Sequence, residues 1–127
     1  MKKLSVLIVD DNAKFRKALR FLIENSFSDR ISELREACNG EEAIQMVQTR
    51  KTDLIFMDAD MPIRSGIEAT RELTCKYRYL VIIAVSFHSE FSYIKQMIEA
   101  GAHNYITKEE IDTDAIKRVF ENYKTPA

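Results

Sequence analysis

Three short apolar runs, each stopped by an acidic or hydroxyl side chain, constrain this chain more than anything else in it. Leu4 to Val9 runs into Asp10-Asp11, Leu54 to Met57 into Asp58, and Leu80 to Val85 into Ser86. Continuous apolar runs this short fit strands covered on both faces. Between them lie stretches of helical period. Phe15, Leu19, Leu22 and Ile23 mark the first. Glu41 to Arg50 is the second, with Ala43, Ile44 and Val47 inward. A third runs from an N-cap at Ser65, with Glu68 completing a capping box, to about Lys76. The fourth opens at Ser89 or Glu90, carries Phe91, Ile94, Met97 and Ile98, and closes at Gly101. The last, Ile111 to about Tyr123, turns Ile116, Val119, Phe120 and Tyr123 inward. Ile31 to Ala37 alternates weakly, as an edge strand does, and His103 to Thr107 predicts a short fifth strand ahead of Lys108. Five strand–helix pairs of this kind predict an α/β fold. A parallel sheet with helices on both faces and right-handed crossovers gives a three-layer α/β/α sandwich.

Turn residues are sparse, with three glycines and two prolines in 127 residues, and no linker or repeat interrupts the pattern. Residues 1–127 therefore predict a single domain. A chain 46% hydrophobic and 31% charged is not disordered. Nineteen Lys and Arg against twenty Asp and Glu argue against binding nucleic acid or anionic membrane by charge alone. The longest apolar run, Leu80 to Val85, is far too short for a transmembrane helix. Met1-Lys2-Lys3 ahead of Leu4 to Val9 lacks the small-residue cleavage site of a signal peptide. Cys38 and Cys75 suit neither a disulfide scaffold nor a metal site, and a cytoplasmic location is expected. His88 and His103 are too few for a zinc centre.

In an open parallel α/β sheet, sites form outside the carboxyl ends of the strands. Those ends carry Asp10-Asp11, Asp58, Ser86 and Lys108. Carboxylates brought together repel unless a cation or shared proton offsets them. All-oxygen ligands suit a hard divalent ion, and magnesium is held by one or two carboxylates plus a phosphate oxygen. Lysine is a point charge fitted to a phosphoryl oxygen, and a serine hydroxyl can donate to another. A further carboxylate can attack phosphorus and become an acyl phosphate.

Taken in order, Asp10-Asp11, Asp58-Ala59-Asp60-Met61-Pro62 with Gly66, Ser86, Tyr105 and Lys108 resemble the full motif set of the receiver domains of bacterial two-component response regulators, across essentially the whole chain. The resemblance implies a flavodoxin-like sheet of order 2-1-3-4-5. It implies that Asp58 is the phospho-acceptor. Asp11 and Asp58 would ligate Mg2+ through their side chains, Asp60 through its backbone carbonyl, and Asp10 mainly through water. Lys108 would pair with the phosphoryl group, Ser86 would bond it, and Tyr105 would swing in behind Ser86 as a switch. The donor would be a sensor histidine kinase or a histidine phosphotransfer protein, docking near the helix that carries Lys14, Arg16, Lys17 and Arg20. Read without the resemblance, those four residues form a solvated helix face. Phosphorylation would reshape the face of helix four, strand five and helix five, where Phe87, Phe91, Met97 and Tyr105 are expected to be exposed for homodimerisation or output binding. The implied chemistry is self-phosphorylation and self-dephosphorylation, not catalysis on a separate substrate. The stretch from Ala100 to Lys108 resembles receivers that precede helix-turn-helix domains, and no such domain lies in these residues.

Three positions depart from the family's pattern. Glu109 follows Lys108 where a proline is usual. Phe87 follows Ser86 where a small residue is usual, so its ring could narrow access to Asp58 or block Tyr105. Asp60 is acidic where many members are neutral, and with His88 it flanks the expected path of attacking water. Two other classes share parts of the pattern. The Asp58-Ala59-Asp60 segment also resembles Mg2+-dependent aspartyl phosphatases of the haloacid-dehalogenase type, although it lies mid-chain and no cap follows. A flavin carrier would need a Ser/Thr/Gly-rich loop where Asp10-Asp11-Asn12 stands.

Overall fold

The computed structural model describes residues 2–123. Five strands, β1 (Leu4–Val9), β2 (Ile31–Ala37), β3 (Leu54–Met57), β4 (Val81–Ser86) and β5 (Asn104–Thr107), form one parallel sheet of order β2-β1-β3-β4-β5. Its helices are α1 (Ala13–Phe27), α2 (Gly40–Thr49), α3 (Gly66–Lys76), α4 (Phe91–Ala100) and α5 (Thr113–Asn122). The expected sandwich and strand order are both found.

The central strands are apolar throughout because each face meets helices. Leu7, Val9, Ile55, Met57, Ile82 and Ala84 pack with Ala43, Val47, Leu73 and Met97 from α2, α3 and α4. Their sequence neighbours Val6, Ile8, Leu54, Phe56, Ile83 and Val85 pack on the other face with Leu19, Ile23, Ile116 and Phe120 from α1 and α5. Alternation within an apolar run thus splits one sheet into two cores.

Helix starts follow their side-chain caps. Asn12 accepts from the N–H groups of Lys14 and Phe15, Asn39 from Glu42, Ser65 from Glu68 and Asp112 from Ala115. Helix α5 therefore begins at Thr113, and Ile111 instead closes a 3-10 turn at Lys108–Glu110. No side chain caps α4 at Glu90, and Gly101 ends it at φ +119°. A Cβ at Gly101 would lie 2.4 Å from the Thr74 hydroxyl, so glycine serves both the turn and the packing.

Two expectations are corrected. Met97 is fully buried and belongs to the core under α4, whereas Phe87 and Phe91 are exposed and Tyr105 is half-buried. Arg16 and Arg20 are not a solvated face. They bind Glu36 on β2 at 3.0 and 2.9 Å, while Lys14 and Lys17 remain exposed. Further along β2, Glu33 pairs with Arg35 and Arg50. The register of β2 with β1 slips between Leu4 and Ser5, passing over Ser32.

Candidate functional site

Strands β1 and β3 are neighbours, and the Asp58 N–H donates to the Val9 carbonyl at 2.9 Å. That pairing brings the residue after β3 beside those after β1. Asp10 and Asp58 are almost wholly buried, Asp11 is exposed, and one carboxylate oxygen from each lies within 4.8 Å of the others. Lys108, the first residue after β5, reaches across β4 into this group. Its ammonium is 2.6 Å from Asp10 Oδ2 and 3.8 Å from Asp58 Oδ2.

One ammonium cannot neutralise three clustered carboxylates. Burial pushes the Asp58 carboxyl up to about 7, the Asp10 charge adds to the rise, and Lys108 opposes it. A pocket that holds a carboxylate at this cost is one a divalent cation would relieve. The donor set fits such an ion: all oxygen, with exposed Asp11 leaving room for retained waters.

The loop between β3 and α3 is shaped around Asp58. A Cβ on Gly66 would lie 1.7 Å from the Asp58 carbonyl oxygen, so only glycine lets α3 start this close. Ile63 and Arg64 take positive φ, 54° and 84°, without being glycine. Arg64 is held there by Glu41 at 3.1 Å and Glu72 at 2.7 Å, and its carbonyl accepts from the Gly40 N–H at 3.1 Å. Sequence reasoning did not find Arg64, because no local pattern announces a left-handed arginine.

Ser86 is fully buried at the end of β4. Its hydroxyl oxygen accepts from the His88 N–H at 3.2 Å, and the Tyr105 hydroxyl donates to the His88 carbonyl at 2.7 Å. Burial raises the Tyr105 phenol, and the nearby Ser86 side chain lowers it in part. Ser86 and Tyr105 are thus joined through the β4–α4 loop. Asp60 splits its groups: its N–H donates to Asp58 Oδ1 at 3.4 Å, and its exposed carboxylate meets His88 Nε2 at 3.3 Å. The His88 ring also meets Glu90 at 3.4 Å and stacks on Tyr93, with centroids 3.9 Å apart. With its side chain on His88, Asp60 is not placed as the general acid that a dehalogenase-type phosphatase needs, and nothing supports that alternative. The Phe87 ring lies against the Lys108 ammonium, as does that of Phe15, and both ring contacts went unseen in the sequence.

Residues 6–120 match the family model described as the response regulator receiver domain. The chain is 41% identical over 103 residues to the chemotaxis protein CheY of Halobacterium salinarum, covering 81% of this chain and 82% of that one. It is 31% identical over 114 residues to the transcriptional regulatory protein DegU of Brevibacillus brevis, covering 90% of this chain but 47% of DegU. This chain spans about half the length of the first curated relatives it matches. Among solved structures, a LuxR-family two-component response regulator from Aurantimonas superposes with a TM-score of 0.82 at 28% identity, covering 94% of this chain and 84% of that chain.

Proposed function

From the premise that the chain belongs to the response regulator receiver domain family, whose members act in two-component phosphorelay signalling, we propose that Asp58 is the phospho-acceptor and that residues 1–127 work as a single receiver domain. The observation that carries this is the Lys108 ammonium lying 2.6 Å from Asp10 and 3.8 Å from Asp58 inside a buried acidic pocket at the strand ends.

In the proposed reaction a phosphohistidine of a sensor kinase or histidine phosphotransfer protein meets the rim. An Asp58 oxygen attacks phosphorus, the P–N bond breaks, and the imidazole nitrogen leaves with the bonding pair and takes a proton. Lys108 neutralises the growing charge on the phosphoryl oxygens, and the Ser86 hydroxyl donates to one of them. Asp11, Asp58 and the Asp60 carbonyl would hold Mg2+, with Asp10 acting mainly through water. When bound, the ion supplies charge neutralisation for the transferring group. Hydrolysis of the acyl phosphate by water returns Asp58, so the chemistry is confined to the protein's own carboxylate.

The new charge draws Ser86 toward the phosphoryl group. Tyr105 is linked to Ser86 through the His88 loop, so it registers that movement. The face of α4, β5 and α5 would carry the signal to a second copy or an output partner. It offers exposed Phe87 and Phe91, and a groove of about 520 Å³ between β5 and α5 that includes Tyr105 and Arg118. No described helix is long and apolar enough to cross a membrane. Both cysteines are thiols, in keeping with a cytoplasmic setting, and the balanced charge of these residues gives them no electrostatic hold on nucleic acid. Incubation with acetyl phosphate and Mg2+ tests the reading: one slow, stoichiometric label is expected, absent in Asp58→Asn. A label that persists in Asp58→Asn, or sustained turnover of aryl phosphates, would overturn it.

A further inference from the structure

The Lys108 ammonium is enclosed on more than its carboxylate side. Its nitrogen lies 4.4 Å from the centroid of the Phe15 ring and 4.8 Å from that of Phe87. Phe15 comes from the start of α1 and Phe87 from the residue after β4, so two distant elements deliver the rings. Phe87 is 60% exposed, so burial of apolar area does not account for where its ring rests. The Lys108 side chain is only 4% exposed, and little water replaces what the rings provide. A cation beside an aromatic face is attracted by the ring quadrupole, more strongly where water is excluded.

We propose that Phe15 and Phe87 form an aromatic clamp that holds Lys108 Nζ between Asp10 and Asp58, making both of them positioning residues for phosphoryl transfer. This rests on Asp58 being the acceptor. The ammonium now favours Asp10 over Asp58. A phosphoryl group on Asp58 adds charge on the far side, and the cation pivots between the rings without being rehydrated. The rings attract the charge through their faces and take none of its three protons as a hydrogen-bond acceptor would. Those protons stay free for Asp10 and the phosphoryl oxygens. A small side chain at position 87 would open Lys108 to water and weaken its hold on the phosphoryl group.

The test uses the full chain. In EDTA, the Lys108 Hε and Nζ resonances are expected to be displaced by the ring currents. Phe87→Leu and Phe15→Leu each move them toward ordinary lysine values, and Phe87→Tyr keeps them displaced. With Mg2+ fixed, beryllofluoride affinity falls about three- to ten-fold in each leucine variant. Phe87→Tyr restores it, while Mg2+ affinity measured alone stays within about twofold. Because Phe87 is largely exposed, Phe87→Leu should fold even if Phe15→Leu does not. Lys108 resonances indifferent to Phe87→Leu, or unchanged beryllofluoride affinity, would overturn the clamp. A wild-type chain that takes no label from acetyl phosphate while its Lys108 resonances remain ring-shifted would overturn the acceptor assignment instead, and with it the clamp's part in transfer.

Discussion

The carbonyl oxygen of Asp58 fills the space in which any side chain on Gly66 would begin, 1.7 Å from an ideal Cβ. This contact ties the residue proposed to be phosphorylated to the first turn of α3.

Gly66→Ala must therefore push α3 away from the end of β3. The expected loss is at least about 2 kcal/mol, the range of an overpacked core, with a lower melting temperature and weaker labelling of Asp58. Thermal melts and acetyl phosphate labelling check both. A variant as stable as wild type would mean that the loop has slack.

Asp58 sets a pH dependence in the metal-free protein. Its carboxyl is raised to about 7 in the fold, from an ordinary value of 3.8. The folded state binds the proton more tightly, so stability declines as pH rises from about 4 to about 7 and levels off above that. The loss is on the order of a few kcal/mol, at about 1.4 kcal/mol per unit. In EDTA, melting temperature against pH should show this fall in wild type and a flatter profile in Asp58→Asn. A stability that rises across the window in wild type would contradict the stated burial cost.

Millimolar Mg2+ should raise the melting temperature at pH 7 by several degrees, because it binds the folded pocket and not the open chain. Asp11→Asn should remove most of that shift. Scanning fluorimetry with and without the ion is sufficient, and an equal shift in the variant would remove Asp11 from the ligand set.

Lys108→Ala leaves Asp10 and Asp58 facing each other without their cation. Some labelling of Asp58 should survive, while the conformational response to it is lost. Tyr105 side-chain NMR, before and after beryllofluoride, separates the two effects. A full response in the variant would assign the coupling elsewhere.

Arg64 carries both strain and anchorage. Arg64→Gly relieves the left-handed backbone, and Arg64→Ala does not, while both lose the Glu41 and Glu72 contacts. The glycine variant should be more stable than the alanine one by about 1 kcal/mol. Urea unfolding of the pair measures this directly, and equal stabilities would show that the backbone relaxes.

Strands β1 and β3 were legible because burial on two faces writes continuous apolar runs, and the edge strand β2 was legible from its weaker alternation; all three start and stop where the sequence pattern does. Asp10, Asp58 and Lys108 were legible because each stands at a strand's carboxyl end, where topology collects them. Helix ends shifted where a cap outweighed the periodicity, as Asp112 does ahead of Thr113. The departures share one origin. Met97 faces inward although its neighbour Ile98 is exposed, Arg16 and Arg20 turn to β2, and Phe15 and Phe87 both meet Lys108. Each depends on a partner far along the chain, which local spacing does not encode.

The ionic groups along β2 also bear on how copies of the protein meet. Four arginines crowd Glu33 and Glu36, and one of them, Arg20, also donates to the Leu34 carbonyl of β2 at 3.1 Å, so a second molecule zippering onto that margin meets concentrated charge. Uncontrolled fibre growth is discouraged at that side of the sheet, leaving its opposite flank free to be used for regulated contacts.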